Sequence, residues 1–411
     1  MPRVVIIGAG AAGSMAAIFA AKAGAETILL ERTRDGGRKI LISGGGRCNV
    51  LPMHLDESRF VTDSSPNVLR KMIRSWPLAE QRAFFEQDLG IALVDEPDAA
   101  KVFPASHKAR DVRDALLSRA YSNGAELRFN TLVTGLSNES DKWRVATDNG
   151  ATLEADAVIV ATGGLSVPNT GSDGFGLKML AELQHTMHPT YAALTPMLAQ
   201  GSPFAELAGI SLPVSLDARS EKHSATASGG FLFTHHGYSG PSVLDVSHVV
   251  VRSRREGNAS AKVRVGWTAL NAAAWEEALK PKGVRTVTGA LRAEMPDRLA
   301  AMLLEQAGVD ATRTLSELRR DERLRLIDTL TRGELPWDGD EGYKKAEVTG
   351  GGVALSEVDP RSMESKRHKG LFICGEVLDA FGPIGGYNFL WSWATGRAAG
   401  IGAAASLSGK A

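Results

Sequence analysis

The sequence is poor in cysteine and lacks long apolar runs. Among 411 residues only Cys48 and Cys374 are cysteines, and they form neither a C-x-x-C pair nor a metal-ligand spacing. We therefore expect no metal site and no disulfide framework, which favours a cytoplasmic protein. No stretch approaches the roughly 18 uninterrupted apolar residues of a membrane span, so no membrane association is expected.

The sequence also lacks an excess of charge. Lysine and arginine number 47, and so do aspartate and glutamate. This balance argues against a polyanionic partner, so we expect a small-molecule substrate and no nucleic acid. The local basic stretches at residues 252–255 and 313–325 are interpreted as solvated faces.

Glycine, in contrast, is abundant, with 44 residues. The first cluster, residues 8–13, fits G-x-G-x-x-G and lies between an apolar strand at residues 4–7 and a small-residue helix at 14–23. A second strand at residues 27–30 completes a βαβ unit and ends at Glu31, an acid suited to the ribose hydroxyls of a dinucleotide. In this unit Gly8 permits the turn, Gly10 admits the pyrophosphate, and Gly13 allows close packing.

A second glycine loop, residues 36–49, follows the ribose-binding acid directly. It offers bare backbone N–H groups at residues 43–46 and cationic side chains at Lys39 and Arg47. An NAD dehydrogenase normally continues into another βα repeat at this point. The loop therefore favours a longer cofactor, FAD.

The C-terminal part points to the same cofactor. Residues 161–164 follow a buried strand at 157–160, and Gly375 and Glu376 end another strand. Residues 382–388 lead into a helix predicted over 389–399, whose N-terminal amides would stabilise the negative charge of a reduced flavin. A further glycine run at 348–353 is interpreted equally well as a cofactor loop or a hairpin.

The candidate cofactor-binding residues form one set, drawn from both ends of the chain. They are Gly8, Gly10, Ala12, Gly13, Glu31, Arg32, Gly37, Arg38, Lys39, Ser43, Gly44, Gly45, Asn49, Val133, Ala161, Thr162, Gly163, Asp173, Gly375, Glu376, Gly385, Gly386, Tyr387 and Asn388.

The predicted fold is α/β, a Rossmann-like FAD-binding domain interrupted by an insert. The first part of this domain is 1–190, the insert 191–342, and the second part 343–411. In the insert, alternating apolar runs over about 191–267 predict a small β-barrel, and about 268–332 predicts a helical subdomain broken near Pro281 and Pro296. The first part also predicts helices over 66–90 and 110–123 and a β-meander over 131–155.

The motifs quoted above, together with Val102-Phe103-Pro104 and Phe233-Thr234-His235, resemble those of the BaiN/RdsA-type flavoproteins, a bacterial family also called aminoacetone oxidase-like. The resemblance covers nearly the whole chain. It implies a two-dinucleotide-binding-type FAD domain and oxidoreductase chemistry. Some members resemble reductases of conjugated double bonds and others resemble amine oxidases.

Two side chains are candidates for catalysis. Cys48 follows Arg47, which could lower its pKa beside the flavin, and His235 in the insert could donate a proton. For both, a structural role is the alternative. Trp267, Trp275 and the pair Trp391 and Trp393 are expected in the core.

The expected reaction is hydride transfer between flavin N5 and an organic substrate. NAD(P)H, binding transiently, or oxygen would be the other electron partner, because no second G-x-G-x-x-G follows a strand. Two alternatives stay open: an RNA-modifying flavoprotein and a flavin-bound sensor without turnover.

Overall fold

A computed structural model describes residues 2–97, 100–139, 142–257 and 261–408. The chain forms two compact units, and each is described by itself. Unit 1 comprises Met1–Tyr191 and Val348–Ala411, and unit 2 comprises Ala192–Glu347.

The strands, in chain order, are β1 (Arg3–Ile7), β2 (Glu26–Leu30), β3 (Leu51–Pro52), β4 (Leu93–Glu96), β5 (Lys101–Pro104), β6 (Glu126–Arg128), β7 (Val133–Glu139), β8 (Lys142–Thr147), β9 (Thr152–Ala155), β10 (Ala157–Val160), β11 (Met187–Ala193), β12 (Met197–Leu198), β13 (Ser211–Arg219), β14 (Ser224–Thr234), β15 (Gly237–Ser239), β16 (Lys262–Gly266), β17 (Gly333–Glu334), β18 (Gly339–Asp340), β19 (Val348–Val353) and β20 (Leu371–Ile373).

The helices are α1 (Ala11–Lys22), α2 (Arg38–Ile42), α3 (Pro66–Arg74), α4 (Leu78–Ala83), α5 (Ala109–Ser122), α6 (Phe175–Glu182), α7 (Pro241–Arg255), α8 (Ala272–Ala278), α9 (Val287–Leu291), α10 (Asp297–Ala307), α11 (Arg320–Arg332) and α12 (Tyr387–Ser408). Among the described residues, no helix combines the length and hydropathy that a membrane span requires.

The core of unit 1 is a parallel sheet of five described strands in the order β20-β10-β1-β2-β6. Its central strands are continuous apolar runs because both faces of the sheet are covered. Val4, Val5 and Ile6 of β1 are fully buried, for example. The predicted βαβ unit is confirmed, with β1, α1 and β2 in the expected order.

Helix α12 packs against α1 through glycine. A Cβ on Gly396 would lie 2.3 Å from the carbonyl oxygen of Ala12, and one on Gly400 would lie 2.4 Å from that of Ala16. Only glycine permits so close an approach of two helix backbones. This contact explains why α12 begins before the predicted residue 389 and continues past 399, as far as Ser408.

Smaller elements flank the parallel sheet. The predicted meander is confirmed as β7-β8-β9, and β3, β5 and β4 form another antiparallel sheet. The helix predicted over 66–90 is instead divided into α3, α4 and a π-helical turn, Phe84–Asp88. The break falls at Pro77, which caps α4, because proline cannot donate the backbone hydrogen bond that a continuous helix needs.

Unit 2 contains an antiparallel sheet of seven described strands, in the order β17-β16-β13-β14-β15-β12-β18. Five of these strands, β12 to β16, lie in the region predicted as a barrel, whereas β17 and β18 follow the predicted helical region. Helices α8 to α11 follow the predicted breaks, with α10 starting directly after Pro296. Trp267 and Trp275 are in the core of this unit, and Trp391 and Trp393 are in the core of unit 1, as expected.

Candidate functional site

The segment that joins β1 to α1 contains three glycines, and packing requires two of them. A Cβ on Gly8, whose φ is +102°, would lie 2.7 Å from the carbonyl oxygen of Ala161, and one on Gly13 would lie 1.8 Å from that of Gly8. A Cβ on Gly10 would meet no described atom within 4 Å. Packing therefore requires glycine at two positions, whereas the third leaves room for a ligand.

Gly10 caps α1 with extended backbone and no side-chain hydrogen bond. The N–H of Ser14, which donates to the Gly10 carbonyl at 2.9 Å, makes the first intrahelical bond. The preceding N–H groups and the helix dipole suit an anion such as a pyrophosphate. Ala12 lies in this first turn, and a Cβ on Gly375 would lie 2.7 Å from its Cβ, so the end of β20 must approach α1 closely.

Glu31 is 9% exposed and holds the loops at the ends of β1 and β2. Its Oε2 accepts from the N–H of Ala9 at 2.9 Å, and its Oε1 accepts from the N–H and hydroxyl of Thr33 at 2.8 and 2.7 Å. A carboxylate offers about four acceptor positions, so acceptor capacity for a ribose hydroxyl remains. Thr131 donates to the Glu31 carbonyl at 2.9 Å, which brings the start of β7 at Val133 to this end of the sheet.

Arg32 and Asp173 form an ion pair with each other. Burial alone would raise the pKa of Asp173, but the hydrogen bonds from Arg32 and from the N–H of Phe175 outweigh it, and the pKa is lowered. The side chains of these two candidates therefore hold loop 165–174 to the end of β2.

The loop before α2 is fixed by a residue that the sequence patterns did not identify. The buried Arg113 of α5 donates to the carbonyl of Asp35 at 2.9 Å, and a Cβ on Gly37 would lie 2.5 Å from its Cγ. Arg38 pairs locally with Asp35 at 2.8 Å, and this hydrogen bond lowers the pKa of Asp35. Arg113 also pairs with its neighbour Asp114, but its contacts with this loop are to backbone carbonyls, which leave no motif in the sequence.

Lys39 connects segments that are far apart in the sequence. Its Nζ donates to Oε2 of Glu376 at 2.6 Å and to Oγ of Ser166 at 2.5 Å. Oε1 of Glu376 accepts from the Ser166 hydroxyl at 2.8 Å and from the N–H of Thr349 at 3.0 Å. The network lies at the carboxyl ends of β10 and β20, where open α/β sheets bind ligands. Ser166 and Thr349 are further site residues that sequence patterns did not identify.

Residues 161–164 pack against the glycine turn between β1 and α1. Gly163 has a φ of +74°, and Thr162 lies so close to α6 that a Cβ on Gly176 would come within 1.9 Å of its Oγ1. A Cβ on Gly164 would lie 2.3 Å from Oγ1 of Thr349. The structure thus brings the segment after β10 against both the glycine turn and the Lys39 network.

The loop after α2 is a run of left-handed backbone. Gly44, Gly45, Gly46 and Cys48 all have positive φ, and a Cβ on Gly45 would meet no described atom within 4 Å. The Ser43 hydroxyl donates its one hydrogen to the Ile40 carbonyl at 2.8 Å, so it has no further hydrogen to donate to a ligand. Oδ1 of Asn49 is buried without a hydrogen-bond partner among the described residues, as expected of an atom that awaits a donor from a ligand.

The suggestion that Arg47 lowers the pKa of Cys48 is wrong. Cys48 is 0% exposed, and burial raises its pKa to about 12, more than a hydrogen bond with Ser43 lowers it. Arg47 instead pairs with Glu96 at 2.7 Å and lies over the ring of Phe103. A thiol that stays protonated in a strained turn fills space and is no proton donor at neutral pH.

His235 is the one candidate in unit 2. It lies exposed in the turn between β14 and β15, within unit 2 alone. All other candidates belong to unit 1.

The entry to α12 has two glycines of positive φ, Gly385 and Gly386, and a Cβ on Gly386 would lie 2.3 Å from the carbonyl carbon of Leu51. The Tyr387 hydroxyl donates to the His54 carbonyl at 3.1 Å. The Asn388 amide bonds both backbone groups of Gly382, at 2.9 and 3.0 Å. These two side chains therefore support the loop at the start of the helix.

The glycine run in β19 is explained by packing. Cβ atoms on its three glycines would lie 2.3 Å from the Tyr191 ring, 2.3 Å from the Pro189 carbonyl oxygen and 2.5 Å from that of Val377. The run therefore lies in a strand and not in a hairpin turn, and packing explains its glycines.

Comparisons with known proteins identify the family of the chain. The chain matches the HI0933-like protein Rossmann domain over residues 2–402. It is 31% identical to the 3-dehydro-bile acid delta(4,6)-reductase of Clostridium scindens over 98% of this chain and 99% of that protein. It is 30% identical to the ribosomal RNA dihydrouridine synthase of Escherichia coli over 95% of both chains.

Two solved structures share the fold at low sequence identity. A flavocytochrome c3 fumarate reductase superposes with a TM-score of 0.51 and 18% identity, covering 98% of this chain and 78% of that chain. The Sdh1 complex of Mycobacterium smegmatis gives 0.52 and 15%, covering 99% and 69%. The expected fold class and family are confirmed: the chain belongs to the HI0933-like family of Rossmann flavoproteins and is an FAD-dependent oxidoreductase.

Proposed function

We propose that this protein reduces a carbon–carbon double bond conjugated to a carbonyl group. The activities named for the two relatives share this chemistry, since a 3-oxo-4,6-diene and the C5=C6 bond of uracil are both conjugated to a carbonyl. In each case a hydride adds to the β-carbon and a proton to the α-carbon. Bound FAD supplies the hydride, and the protein orients the ring and supplies the proton.

The observation that carries the proposal is the start of α12. Gly385 and Gly386 leave the backbone free of side chains there, while the Tyr387 and Asn388 side chains are held within the loop. Such amides stabilise negative charge that develops on a reduced flavin ring. This is the feature that a nicotinamide-binding fold does not need.

The remaining candidates are assigned along the cofactor. The start of α1 at Gly10 would hold the pyrophosphate, and Glu31 would hold the adenosine ribose. The network of Lys39 and Glu376 would bind the polar chain between phosphate and ring, and Asn49 would accept a hydrogen bond. The rest of the candidate set would contribute backbone and packing contacts around these groups.

We assign as the electron donor a reduced nicotinamide coenzyme, which binds transiently at the flavin. A small unsaturated carbonyl compound, such as a steroid-like enone, is the assigned acceptor. Oxygen as the physiological acceptor would instead indicate the amine-oxidase type of reaction.

A second candidate substrate is a uridine of ribosomal RNA. The relationship to the E. coli rRNA enzyme over 95% of both chains favours it. The basic stretches of unit 2 do not, because several of their arginines are ion-paired, for example Arg313 with Glu322 at 2.5 Å and Arg325 with Asp321 at 3.0 Å. Paired arginines contribute less to phosphate binding than free ones.

The test uses the purified holoprotein without oxygen. The flavin is reduced with NADH or NADPH, and its reoxidation is followed after mixing with a steroid enone, with a uridine-containing rRNA fragment or with oxygen. Fastest reoxidation by the enone supports the proposal, and fastest reoxidation by the RNA supports the second candidate. Reoxidation by oxygen alone, together with reduction by an amine, would contradict both.

A further inference from the structure

Unit 1 contains a buried acid that the cofactor assignments do not use. Asp379 is 1% exposed, and its Oδ2 accepts from the N–H groups of Asp63 and Ser64, both at 2.9 Å. The same oxygen accepts from the Ser64 hydroxyl at 2.8 Å and from that of Thr62 at 2.9 Å. Asp379 lies on the segment between Glu376 and Gly385, both of which are assigned to FAD.

The Ser64 hydroxyl stands between Asp379 and a histidine. Its Oγ is 3.2 Å from Nε2 of His188 and accepts from the N–H of Leu355 at 3.0 Å. His188, on β11, is half-buried, and its Nε2 lies 3.7 Å from Oδ2 of Asp379. The three groups therefore form a compact triangle, in which the Ser64 hydroxyl is within hydrogen-bond distance of both the partly exposed imidazole and the buried carboxyl group.

Counting hydrogens gives these three groups two states, since a hydroxyl has one hydrogen and two lone pairs. With Asp379 ionised and His188 in its cationic form, the Ser64 hydroxyl donates to Asp379 and His188 donates its Nε2–H to Ser64. With Asp379 protonated toward Ser64 and His188 neutral, the hydroxyl donates to the bare Nε2. Two short proton transfers, from His188 to Ser64 and from Ser64 to Asp379, convert the first state into the second, and the hydroxyl turns back toward Asp379 once Asp379 has given its proton away.

We propose that His188, Ser64 and Asp379 form a proton relay, which supplies the proton consumed at the α-carbon when the substrate double bond is reduced. The relay rests on the proposed function. For each turnover the relay gives one proton to the α-carbon and His188 regains a proton from solvent, while bound FAD would supply the hydride to the β-carbon. The immediate carriers are Ser64 and Asp379, and His188 is the entry point.

Charge in the surroundings is consistent with a carboxyl group that holds a proton. Burial raises the pKa of Asp379, and the charge of Asp63 raises it further, while the hydrogen bonds of Ser64 and Thr62 and the charge of His188 lower it by less. The net effect is a raised pKa, so the acid form persists at a higher pH than in an exposed aspartate.

A purely structural role would be to anchor residues 62–64 beside α3. Three variants separate the two roles. Ser64→Ala removes the hydroxyl bridge, Ser64→Thr restores a hydroxyl at the same position, and Ser65→Ala removes a neighbouring exposed hydroxyl that makes no cap hydrogen bond. Anchoring is carried by the backbone N–H groups as well, which Ser64→Ala keeps.

The first measurement needs no substrate. The carboxylic acid stretch of the holoprotein is followed by infrared spectroscopy against pH, with Asp379→Asn to assign it, and the imidazole of His188 is followed by NMR. We expect the two titrations to be coupled in the wild type and in Ser64→Thr, and uncoupled in Ser64→Ala. Coupling unchanged in Ser64→Ala would overturn the relay.

The second measurement is the rate at which an enone reoxidises the reduced flavin. Loss of a proton donor typically costs about 100-fold or more, so Ser64→Ala and His188→Gln should be slowed to that degree, with a changed pH profile and solvent isotope effect. Ser64→Thr should recover most of the rate, and Ser65→Ala should match the wild type. Equal rates and equal pH profiles in Ser64→Ala and the wild type would overturn the relay. If no enone reoxidises the reduced flavin of the wild type, the proposed function is overturned, and the spectroscopic measurement alone decides whether the relay exists.

Discussion

Lys39 and Glu376, 337 residues apart in the sequence, form an ion pair in which Nζ lies 2.6 Å from Oε2. The pair is only partly exposed, with side-chain exposures of 24% and 15%. It joins the loop after β2 to the loop after β20, and Ser166 completes the contact. The two ends of the FAD-binding unit thus meet at charged groups that also face the proposed cofactor site.

Replacing Lys39 by methionine should weaken both the fold and FAD retention. The change leaves a partly buried carboxylate without its cation, and a hydrogen bond to a charged group contributes about 1.5–3 kcal/mol. We expect the free energy of unfolding of the apoprotein to fall by about 2 kcal/mol in urea titrations, and the FAD dissociation constant to rise. Lys22→Met, which breaks the exposed contact with Asp88, is the control and should change neither quantity by more than about 0.5 kcal/mol.

Gly10 and Gly13 should respond differently to alanine. Gly13→Ala forces a Cβ to within 1.8 Å of the Gly8 carbonyl oxygen, so it should cost about 3 kcal/mol or more of stability. Gly10→Ala meets no described atom, so the apoprotein should keep its melting temperature while the FAD dissociation constant rises about tenfold or more. Gly135→Ala, where the new Cβ makes an ordinary 3.8 Å contact, is the control. Unchanged FAD affinity in Gly10→Ala would show that the pyrophosphate is bound elsewhere.

Cys48 should be chemically silent in the native protein. Its thiol is fully buried with a pKa of about 12, so iodoacetamide at neutral pH should label it only when the chain unfolds. Mass spectrometry of native and urea-unfolded samples measures this directly. Cys48→Ala should keep enone-dependent flavin reoxidation within about twofold, since removing a packing group has little effect on the chemical step. Rapid native labelling with loss of turnover would return Cys48 to the candidate catalytic residues.

Asp379 should give stability a distinct pH dependence. Its pKa is raised in the folded protein, so the folded state binds the proton more tightly than the unfolded chain does. The stabilisation is fully present below the unfolded pKa, about 3.9, and is lost as pH rises through the folded value. The unfolding free energy of the wild type, minus that of Asp379→Asn, should therefore fall with pH over this interval. A difference for Asp379→Asn that stays flat with pH would contradict the raised pKa.

The local elements could be predicted from the sequence, because each is encoded by a short pattern. The glycine fingerprint fixed the order of β1, α1 and β2, and alternation predicted the meander β7 to β9. The division at Pro77 was missed, although proline is a local signal, because apolar residues continue on both sides. The full length of α12 was not predicted, because its small residues are explained only by close packing against α1.

The site was predictable only where backbone conformation demands glycine. Gly8, Gly13 and Gly386 are each required by a close approach that no other residue permits. Arg113, Ser166 and the relay of Ser64, His188 and Asp379 have no signal in the sequence, because their partners come from distant segments. Glycine also misleads, since the run in β19 is required by packing against β11 and Val377.

The most direct test of the central claim is anaerobic. Holoprotein whose flavin has been reduced by NADPH or NADH is mixed with a steroid enone, and the flavin spectrum and the saturated product are followed together. The account predicts reoxidation of the flavin with one molecule of saturated ketone formed per flavin, and loss of this reaction in Gly10→Ala stripped of FAD. Isolated protein that contains no FAD, or reduced flavin that no conjugated carbonyl compound reoxidises, would contradict it.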